Sequence, residues 1–159
     1  MAARVAALLR NGGIGVILTR TKDASVPLRT RVMRANNAEV AAFVSIHCNS
    51  AGSDSARGTE AYYYRTSDPG RKLAAAIHVP LVRATGLVDR GVKDAGFYVL
   101  RHTKMPAALI ELAFISNEDE ERLLRDEGFQ TKAARAITDG IAGWLRDQHI
   151  LASWLARTM

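Results

Sequence analysis

FVSIHCNS, residues 43–50, is the stretch from which the fold of this chain can be predicted. Its first half is apolar and contains the β-branched residues Val44 and Ile46, which is typical of a buried strand. The run then gives way to His47 and to polar residues that lead into a loop. A strand that ends in an imidazole has the usual geometry of an α/β active site, where ligands lie beyond the carboxyl ends of parallel strands.

A second apolar run, Ala107–Phe114, contains a single charged residue, Glu111. A carboxylate that is buried without a partner costs several kcal/mol, so its place inside such a run requires an explanation. We interpret His47 and Glu111 as the two ends of one site, delivered by two neighbouring strands.

The order of helical and strand patterns around these runs predicts the fold class. A helix over residues 2–11, a strand over 14–19 and a helix over 27–38 precede the His47 strand. This αβαβ order is typical of a single α/β domain with a mostly parallel twisted sheet between helices. Farther along, the patterns predict strands at 58–64 and 97–100, a charged loop at 89–93, and helices at 67–85, after Asn117, and from 128 to 149.

Composition limits the partners that this domain is expected to have. The chain has 159 residues, a formal net charge of +6 and a pI near 9.9, so an anionic partner is favoured. Its arginines are scattered rather than clustered with aromatic residues, so we expect no nucleic-acid partner. We find neither a signal peptide nor an apolar run long enough to span a bilayer. The single cysteine, Cys48, allows no internal disulfide and is predicted to be a small buried residue.

A histidine and a glutamate at the ends of two strands suggest a catalytic zinc site. Such a site has about three protein ligands and leaves one position for water. The metal lowers the pKa of that water, and a free glutamate takes its proton. In this hypothesis His47 is a ligand and Glu111 is the general base.

A set of short motifs then points to a known family. They lie, in order along the chain, at residues 16–20, 23–36, 45–50, 58–63, 85–87, 90–93, 99–101, 105–106 and 109–117. In these motifs and their order, the chain from about Ala3 to Trp144 resembles the zinc-dependent N-acetylmuramoyl-L-alanine amidases of bacteria and their phages, the type-3 amidases.

The resemblance implies a fold, a reaction and a set of site residues. The fold is a single α/β domain with a six-stranded sheet. The reaction is hydrolysis of the amide between N-acetylmuramic acid and L-alanine in peptidoglycan, by zinc-activated water. His47 matches the last zinc ligand of the family, and Glu111 matches its catalytic glutamate. Because cations lie close in sequence to these residues, we expect the anionic stem peptide and its glycan to be held by Asn49, Arg90, Lys93 and Arg101.

One departure from the family pattern affects the metal. The family opens with a strand and a Gly-rich loop that carries a zinc histidine, and a glutamate ligand follows in the first helix. This chain begins inside that helix, so we expect residues 1–149 to be a catalytic domain that lacks its first strand, followed by an extension at 150–159. Glu60 is the candidate for a second ligand.

Two other functions remain open from the sequence. One is a non-catalytic peptidoglycan-binding remnant with an incomplete metal site, and the other is a basic nucleic-acid-binding domain. For the amidase, the full-length form is expected to be exported to the periplasm or cell wall, where its substrate lies. The sequence leaves the oligomeric state undetermined.

Overall fold

A computed structural model describes residues 1–148 of the chain; the predicted extension at 150–159 and the last predicted domain residue, 149, lie outside the described residues. Within 1–148 there are six helices and four strands. The helices are α1 (Ala2–Asn11), α2 (Leu28–Asn37), α3 (Asp68–Thr85), α4 (Tyr98–His102), α5 (Glu118–Arg125) and α6 (Glu127–Asp147). The strands are β1 (Phe43–Asn49), β2 (Thr59–Tyr63), β3 (Asp89–Asp94) and β4 (Ala107–Phe114).

The four described strands form one sheet in the order β1-β4-β2-β3. β1 pairs with β4 and β2 pairs with β3 in parallel, whereas β2 and β4 are antiparallel. The prediction of an α/β domain with a mostly parallel sheet is therefore confirmed. Among residues 1–148, no helix has both the length and the apolar character that crossing a bilayer requires.

Helices cover both faces of the sheet, and β4 is central in it. One apolar core joins the sheet to α1, α3 and α6, and a second joins it to α2 and α4. Successive residues of β4 contribute alternately to these cores, so the strand is buried on both faces. All of its residues are buried except Glu111, which is half-buried. The apolar sequence of 107–114, which only Glu111 interrupts, follows from this position.

Glu120 of α5 joins the ends of two strands. Its side chain is 4% exposed, and its two oxygens accept hydrogen bonds from the backbone N–H groups of Gly58 (2.7 Å) and Phe114 (2.6 Å). Gly58 precedes β2 and Phe114 ends β4, so one carboxylate fixes both strands at the same end of the sheet. Asn117 caps α5 through the N–H of Glu120, as predicted.

The predicted strand over residues 14–19 is wrong. In the structure this segment has no regular secondary structure and no backbone hydrogen bond to another strand. The carbonyls of Val16 and Thr19 instead accept hydrogen bonds from the side chains of Arg10 and Arg34. A β-branched apolar sequence forms a strand only where a neighbouring strand supplies its hydrogen bonds, and none of the described strands lies beside this segment.

The structure also differs from two further predictions of secondary structure. Residues 97–100 were predicted as a strand, but they form the start of helix α4. Val99 and Leu100 are buried in the core that α4 shares with α2. A window of four residues is too short to distinguish the period of a helix from that of a strand. Residues 89–93, predicted as a charged loop, form the edge strand β3. Charged residues are common on edge strands because they oppose aggregation. β3 is also held to α3, since Nε2 of the buried His78 lies 2.6 Å from an Asp89 oxygen.

Cys48 is exposed, contrary to the prediction of a buried residue. It lies near the end of β1, which is at the edge of the described sheet. The side chain therefore faces a groove rather than a packed neighbour.

The contact between α3 and α6 provides a test of the packing. A Cβ added at Gly140 would lie 2.6 Å from the Cα of Ile77 and would also clash with the carbonyl oxygen of Ala76, whereas at Gly143 the nearest atom is a mobile arginine nitrogen at 3.8 Å. We expect Gly140→Ala to lower the free energy of unfolding by about 1–3 kcal/mol. Gly143→Ala, in the same helix, should raise it by up to about 1 kcal/mol through helix propensity. Urea denaturation checks both, and equal effects would contradict the close packing of α6 on α3.

Candidate active site

Three side chains form a row across one face of the sheet. His47 of β1 is the register partner of Glu111 of β4, and Glu111 is in turn the partner of Glu60 of β2. Paired residues on adjacent strands project from the same face, so the imidazole and the two carboxyl groups are neighbours. The structure thus brings together His47 and Glu111, which the sequence analysis predicted to share a site, and adds Glu60 between Glu111 and β3.

Glu111 is a carboxyl group without a local partner. Its Oε2 atom is buried and has no hydrogen bond to a described residue. Burial, and secondly the negative charge of Glu60, raise the pKa of Glu111 to about 7. A carboxyl group with this pKa can take up or release a proton near neutral pH, which is the property of a general base or acid.

Glu60 is also buried, but both of its carboxylate oxygens accept hydrogen bonds. It is 3% exposed, and its oxygens accept hydrogen bonds from Asn49 Nδ2 (2.6 Å), Lys93 Nζ (2.6 Å) and Arg90 Nε (3.0 Å). Burial alone would raise the pKa of Glu60, but the hydrogen bonds from Lys93 and Arg90 outweigh it and the pKa is lowered. Glu60 therefore keeps its negative charge beside Glu111.

His47 is held neutral by its surroundings. Its Nε2 atom lies 2.7 Å from the hydroxyl oxygen of Ser45, two residues earlier on the same face of β1. Burial lowers the pKa of His47, and the positive charges of Arg31 and Arg20 lower it further. A neutral imidazole is the form that binds metal ions.

Sequence reasoning missed two polar residues of this face, Ser45 and Tyr62. Burial and the neighbouring carboxylate of Glu60 raise the pKa of Tyr62 to about 12, so its phenol stays protonated. The signal that would have found both is the two-residue period of a strand, because Ser45 precedes His47 by two and Tyr62 follows Glu60 by two.

The residues predicted to bind substrate fall into two places. Asn49, Arg90 and Lys93 surround Glu60 in the row described above. Arg101 lies apart, on α4, where it lines a small polar pocket of about 220 Å³ with Tyr64, Arg65 and Asp94. α4 leads into the start of β4, and the five residues from Ala107 to Glu111 span about 13 Å of strand.

The described residues do not fit a zinc ion by themselves. Within residues 1–148, no three His, Cys, Asp or Glu side chains are close enough to share a metal. The charges of Arg20 and Arg31 act on His47, and Glu60 is already bound by Lys93 and Arg90. A catalytic zinc site needs about three protein ligands, of which His47 is one candidate.

Comparison with known proteins gives consistent similarities. Residues 1–143 match the family model described as N-acetylmuramoyl-L-alanine amidase. The chain is 38% identical over 148 residues to N-acetylmuramoyl-L-alanine amidase LytC of Bacillus subtilis, covering 92% of this chain and 30% of LytC. It is 36% identical to the sporulation-specific N-acetylmuramoyl-L-alanine amidase of the same organism, covering 81% of this chain and 50% of that protein.

A solved structure shows the same fold. The catalytic domain of the amidase CwlV from Bacillus (Paenibacillus) polymyxa superposes with a TM-score of 0.87 at 42% identity, covering 91% of this chain and 80% of that domain. This chain thus matches most of a catalytic domain, but only 30% and 50% of the two Bacillus subtilis proteins.

The proximity of the two carboxyl groups can be tested by titration. We expect Glu60→Gln to lower the pKa of Glu111 from about 7, because it removes the negative charge and leaves Lys93 and Arg90 unbalanced. The ¹³C chemical shift of the labelled Glu111 carboxyl carbon, followed by NMR from pH 3 to 9, measures this. Glu118→Gln, an exposed site on α5, is the control of equal charge change. An unchanged Glu111 titration in Glu60→Gln would contradict the proposed coupling.

The raised pKa of Glu111 also predicts a pH dependence of stability. Because the folded-state pKa of about 7 exceeds the ordinary value of 4.5, the protonated carboxyl favours the folded state. This contribution is complete below pH 4.5 and is lost as the pH rises through 7. Wild type should therefore lose this contribution to its free energy of unfolding between pH 4.5 and 8, whereas Glu111→Gln has no such contribution to lose. We expect the stability of Glu111→Gln, measured relative to wild type, to increase over this range. Urea midpoints across this range provide the measurement, and parallel curves would contradict the expectation.

Proposed function

The chain belongs to the N-acetylmuramoyl-L-alanine amidase family, and on this premise we propose that it is a catalytic domain that hydrolyses the amide between N-acetylmuramic acid and L-alanine in peptidoglycan. The observation that carries the proposal is the half-buried Glu111, whose buried Oε2 atom has no hydrogen-bond partner among the described residues and whose pKa is raised to about 7. Family membership indicates the substrate class, and Glu111 supplies a group with the required chemistry.

Glu111 acts as the general base in this proposal. It takes a proton from the water molecule that attacks the carbonyl carbon of the lactyl amide. When the C–N bond breaks, the same proton passes to the departing amino group of L-alanine. A base with a pKa close to the working pH is efficient both in accepting and in donating a proton, because neither transfer is strongly uphill in free energy.

Glu60 adjusts the basicity of Glu111 without reacting itself. Lys93 and Arg90 hold Glu60 in its charged form, so it repels a second negative charge at Glu111. The two carboxyl groups therefore have pKa values displaced in opposite directions by their surroundings, one raised and one lowered. When the surroundings of two neighbouring acidic residues shift their pKa values in opposite directions, the two residues commonly have different roles in catalysis.

Zinc is the cofactor that we propose for the complete site, with His47 as the ligand that this chain supplies. When bound, zinc would lower the pKa of a coordinated water molecule. Glu60, the candidate second ligand, is engaged by two cations and an amide, so it could coordinate a metal only by giving up those bonds.

The proposed substrate-binding residues would contact the stem peptide at two points. Asn49, Arg90 and Lys93 lie at the reacting end, around Glu60. Arg101 lies in a separate polar pocket, which it lines together with Asp94 of β3. A stem peptide with free carboxylates would extend from the Glu111 row to this pocket. Because peptidoglycan lies outside the cytoplasmic membrane, we also propose that the protein containing this domain acts in the periplasm or cell wall.

One observation favours a second candidate function. Since the described residues provide only part of a zinc site, the domain could be a peptidoglycan-binding remnant that retains the groove without catalysis. The two candidates differ in zinc content: the enzyme, once its ligands are complete, holds about one zinc ion per chain, and the remnant holds none.

The role of Glu111 is tested in a fusion that places the segment preceding the matched region of the CwlV domain before Met1. We expect Glu111→Gln in this fusion to retain zinc, because only the base is removed. Its kcat should fall by roughly 10²–10⁴-fold. The measurement is the appearance of free L-alanine amino groups on purified peptidoglycan, with zinc determined by atomic emission.

Two variants control this experiment. Glu118→Gln should leave the rate unchanged, and His47→Ala should lose both zinc and activity. Loss of zinc in Glu111→Gln would show that Glu111 is a ligand rather than the base. A fusion that holds zinc but releases no stem peptide would reject the amidase function itself.

The role of Arg101 is tested by kinetics on the same fusion. We expect Arg101→Met to raise KM by roughly two- to fivefold, as for loss of an exposed ion pair, with kcat unchanged. The increase should disappear at high ionic strength, since salt screens the contact. Arg83→Met removes another exposed arginine, on α3, and should have no effect on KM. Equal KM values for wild type and Arg101→Met would reject the contact.

A further inference from the structure

Strand β3 contains one extra residue where it passes Glu60. Two residues of β2 that pair with β3 are separated by a single residue, whereas their partners in β3 are separated by two. The pairs are Thr59 with Asp89 and Ala61 with Val92. Glu60 of β2 therefore faces both Arg90 and Gly91 of β3. An extra residue of this kind is a β-bulge, which bends its strand and changes the direction of nearby side chains.

Gly91 is the residue of this bulge that has a special backbone conformation. Its φ is +81°, in the left-handed region where glycine is favoured and β-branched residues are strongly disfavoured. A Cβ added at this position would meet no atom within 4 Å, so the backbone conformation, rather than a lack of space, requires glycine. A substitution here would therefore disturb the bulge without a steric clash.

The bulge brings two cations of β3 to one face of the sheet. In a regular strand Arg90 and Lys93, which are three residues apart, would point to opposite faces. Here both donate to the same oxygen of Glu60, Arg90 Nε at 3.0 Å and Lys93 Nζ at 2.6 Å. On the other face, Asp89 contacts α3 and Val92 packs against the core to which α3 contributes. The extra residue therefore explains how one glutamate is held by two cations from the same short strand.

The side chain of Asp89 holds the bulge in place. Its Oδ1 atom accepts a hydrogen bond from the backbone N–H of Gly91 (2.8 Å) and lies 2.6 Å from Nε2 of His78. His78 is 3% exposed, and its Nδ1 atom has no hydrogen bond within residues 1–148. The hydrogen bond from His78, and secondly that from Gly91, lower the pKa of Asp89, so its carboxylate remains a charged acceptor. The buried imidazole on α3 thus fixes the carboxylate, and the carboxylate fixes the bulge.

We propose that Asp89, held by His78, is a positioning residue of the active site. By fixing the bulge at Gly91 it aims the two cations of β3 at Glu60. Asp89 touches none of the reacting groups and acts through Glu60, whose carboxylate it keeps in the row beside Glu111. Its part in the reaction rests on the proposed function, whereas its effect on the cations can be measured without turnover.

The reactivity of Lys93 in the 159-residue chain reports whether this cation is aimed at Glu60. The chain is treated with a limiting amount of acetic anhydride, and mass spectrometry gives the rate of acetylation of Lys93 relative to Lys72. Lys72 is the internal reference because it is also paired, with Asp68 at 2.9 Å. We expect Asp89→Ala to raise the relative rate at Lys93 roughly three- to fivefold, as for the loss of one partly exposed ion pair.

Conservative and matched variants separate positioning from a simple loss of stability. Asp89→Asn keeps an oxygen that can accept both hydrogen bonds and should stay within about twofold of wild type. His78→Gln retains an N–H donor and should do the same, whereas His78→Leu should resemble Asp89→Ala. Gly91→Val should also raise the relative rate at Lys93. Gly13→Val, at a φ of +79° and with equally free space around its Cβ, should destabilise the fold but leave Lys93 unchanged.

A double-mutant cycle tests whether Asp89 acts through Glu60. Glu60→Gln should itself raise the relative rate at Lys93, and adding Asp89→Ala should have little further effect, because the ion pair is already lost. The same cycle is then read as kcat/KM on the fusion used to test Glu111. We expect Asp89→Ala to lower kcat/KM by about three- to tenfold in wild type and to have no further effect in the Glu60→Gln background.

The outcomes distinguish this role from the proposed function. Unchanged Lys93 reactivity in Asp89→Ala and Gly91→Val, or additive effects in the cycle, would overturn the positioning role, as would equal effects of Gly13→Val and Gly91→Val. Raised reactivity with an unchanged kcat/KM would overturn the part of Asp89 in the reaction. A fusion that hydrolyses no peptidoglycan would reject the proposed function and leave the aiming of the cations standing, because acetylation is measured without turnover.

Discussion

The hydrogen bonds of the Glu120 carboxylate hold β2 and β4 together beside the candidate active site. They join the N–H group before β2 to the N–H group at the end of β4, and α5 supplies the carboxylate. β2 and β4 are separated in the chain by α3, β3 and α4, so no short connection fixes their relative position at this end of the sheet. A charged acceptor satisfies two buried donors that would otherwise each cost about 1–3 kcal/mol. The same bonds set the register in which Glu60 faces Glu111.

This register explains how two acidic groups can share one face of the sheet. Like charges on paired strands repel, and burial makes the repulsion stronger. The structure resolves the conflict asymmetrically: Lys93 and Arg90 stabilise the charged form of Glu60, and the pKa of Glu111 is raised to about 7. The cations come from β3, an edge strand whose residues can reach solvent. The raised pKa of Glu111 thus depends first on its own burial and secondly on the charge of Glu60, which the cations of β3 stabilise.

The sequence was most informative where the pattern was long or chemically unusual. The strands around His47 and Glu111 and the helices predicted at 67–85 and after Asn117 were found from local signals that packing did not override. β3 and α4 were assigned wrongly because five- and six-residue segments contain too little periodicity to distinguish strand, helix and loop. The contacts of Glu60 with Asn49, Arg90 and Lys93 join β1, β2 and β3, so no single stretch could have revealed them. The separation of Arg101 from these residues was hidden for the same reason.

The error at residues 14–19 has a different origin. The sequence there is a good strand sequence, but a strand needs a partner, and β1 lies across a groove rather than beside it. The carbonyl oxygens of Val16 and Thr19 accept hydrogen bonds from the side chains of Arg10 and Arg34 instead. A β-branched apolar sequence therefore predicts extended backbone from local signals alone, whereas a strand also requires a neighbouring strand, which only the tertiary fold can supply.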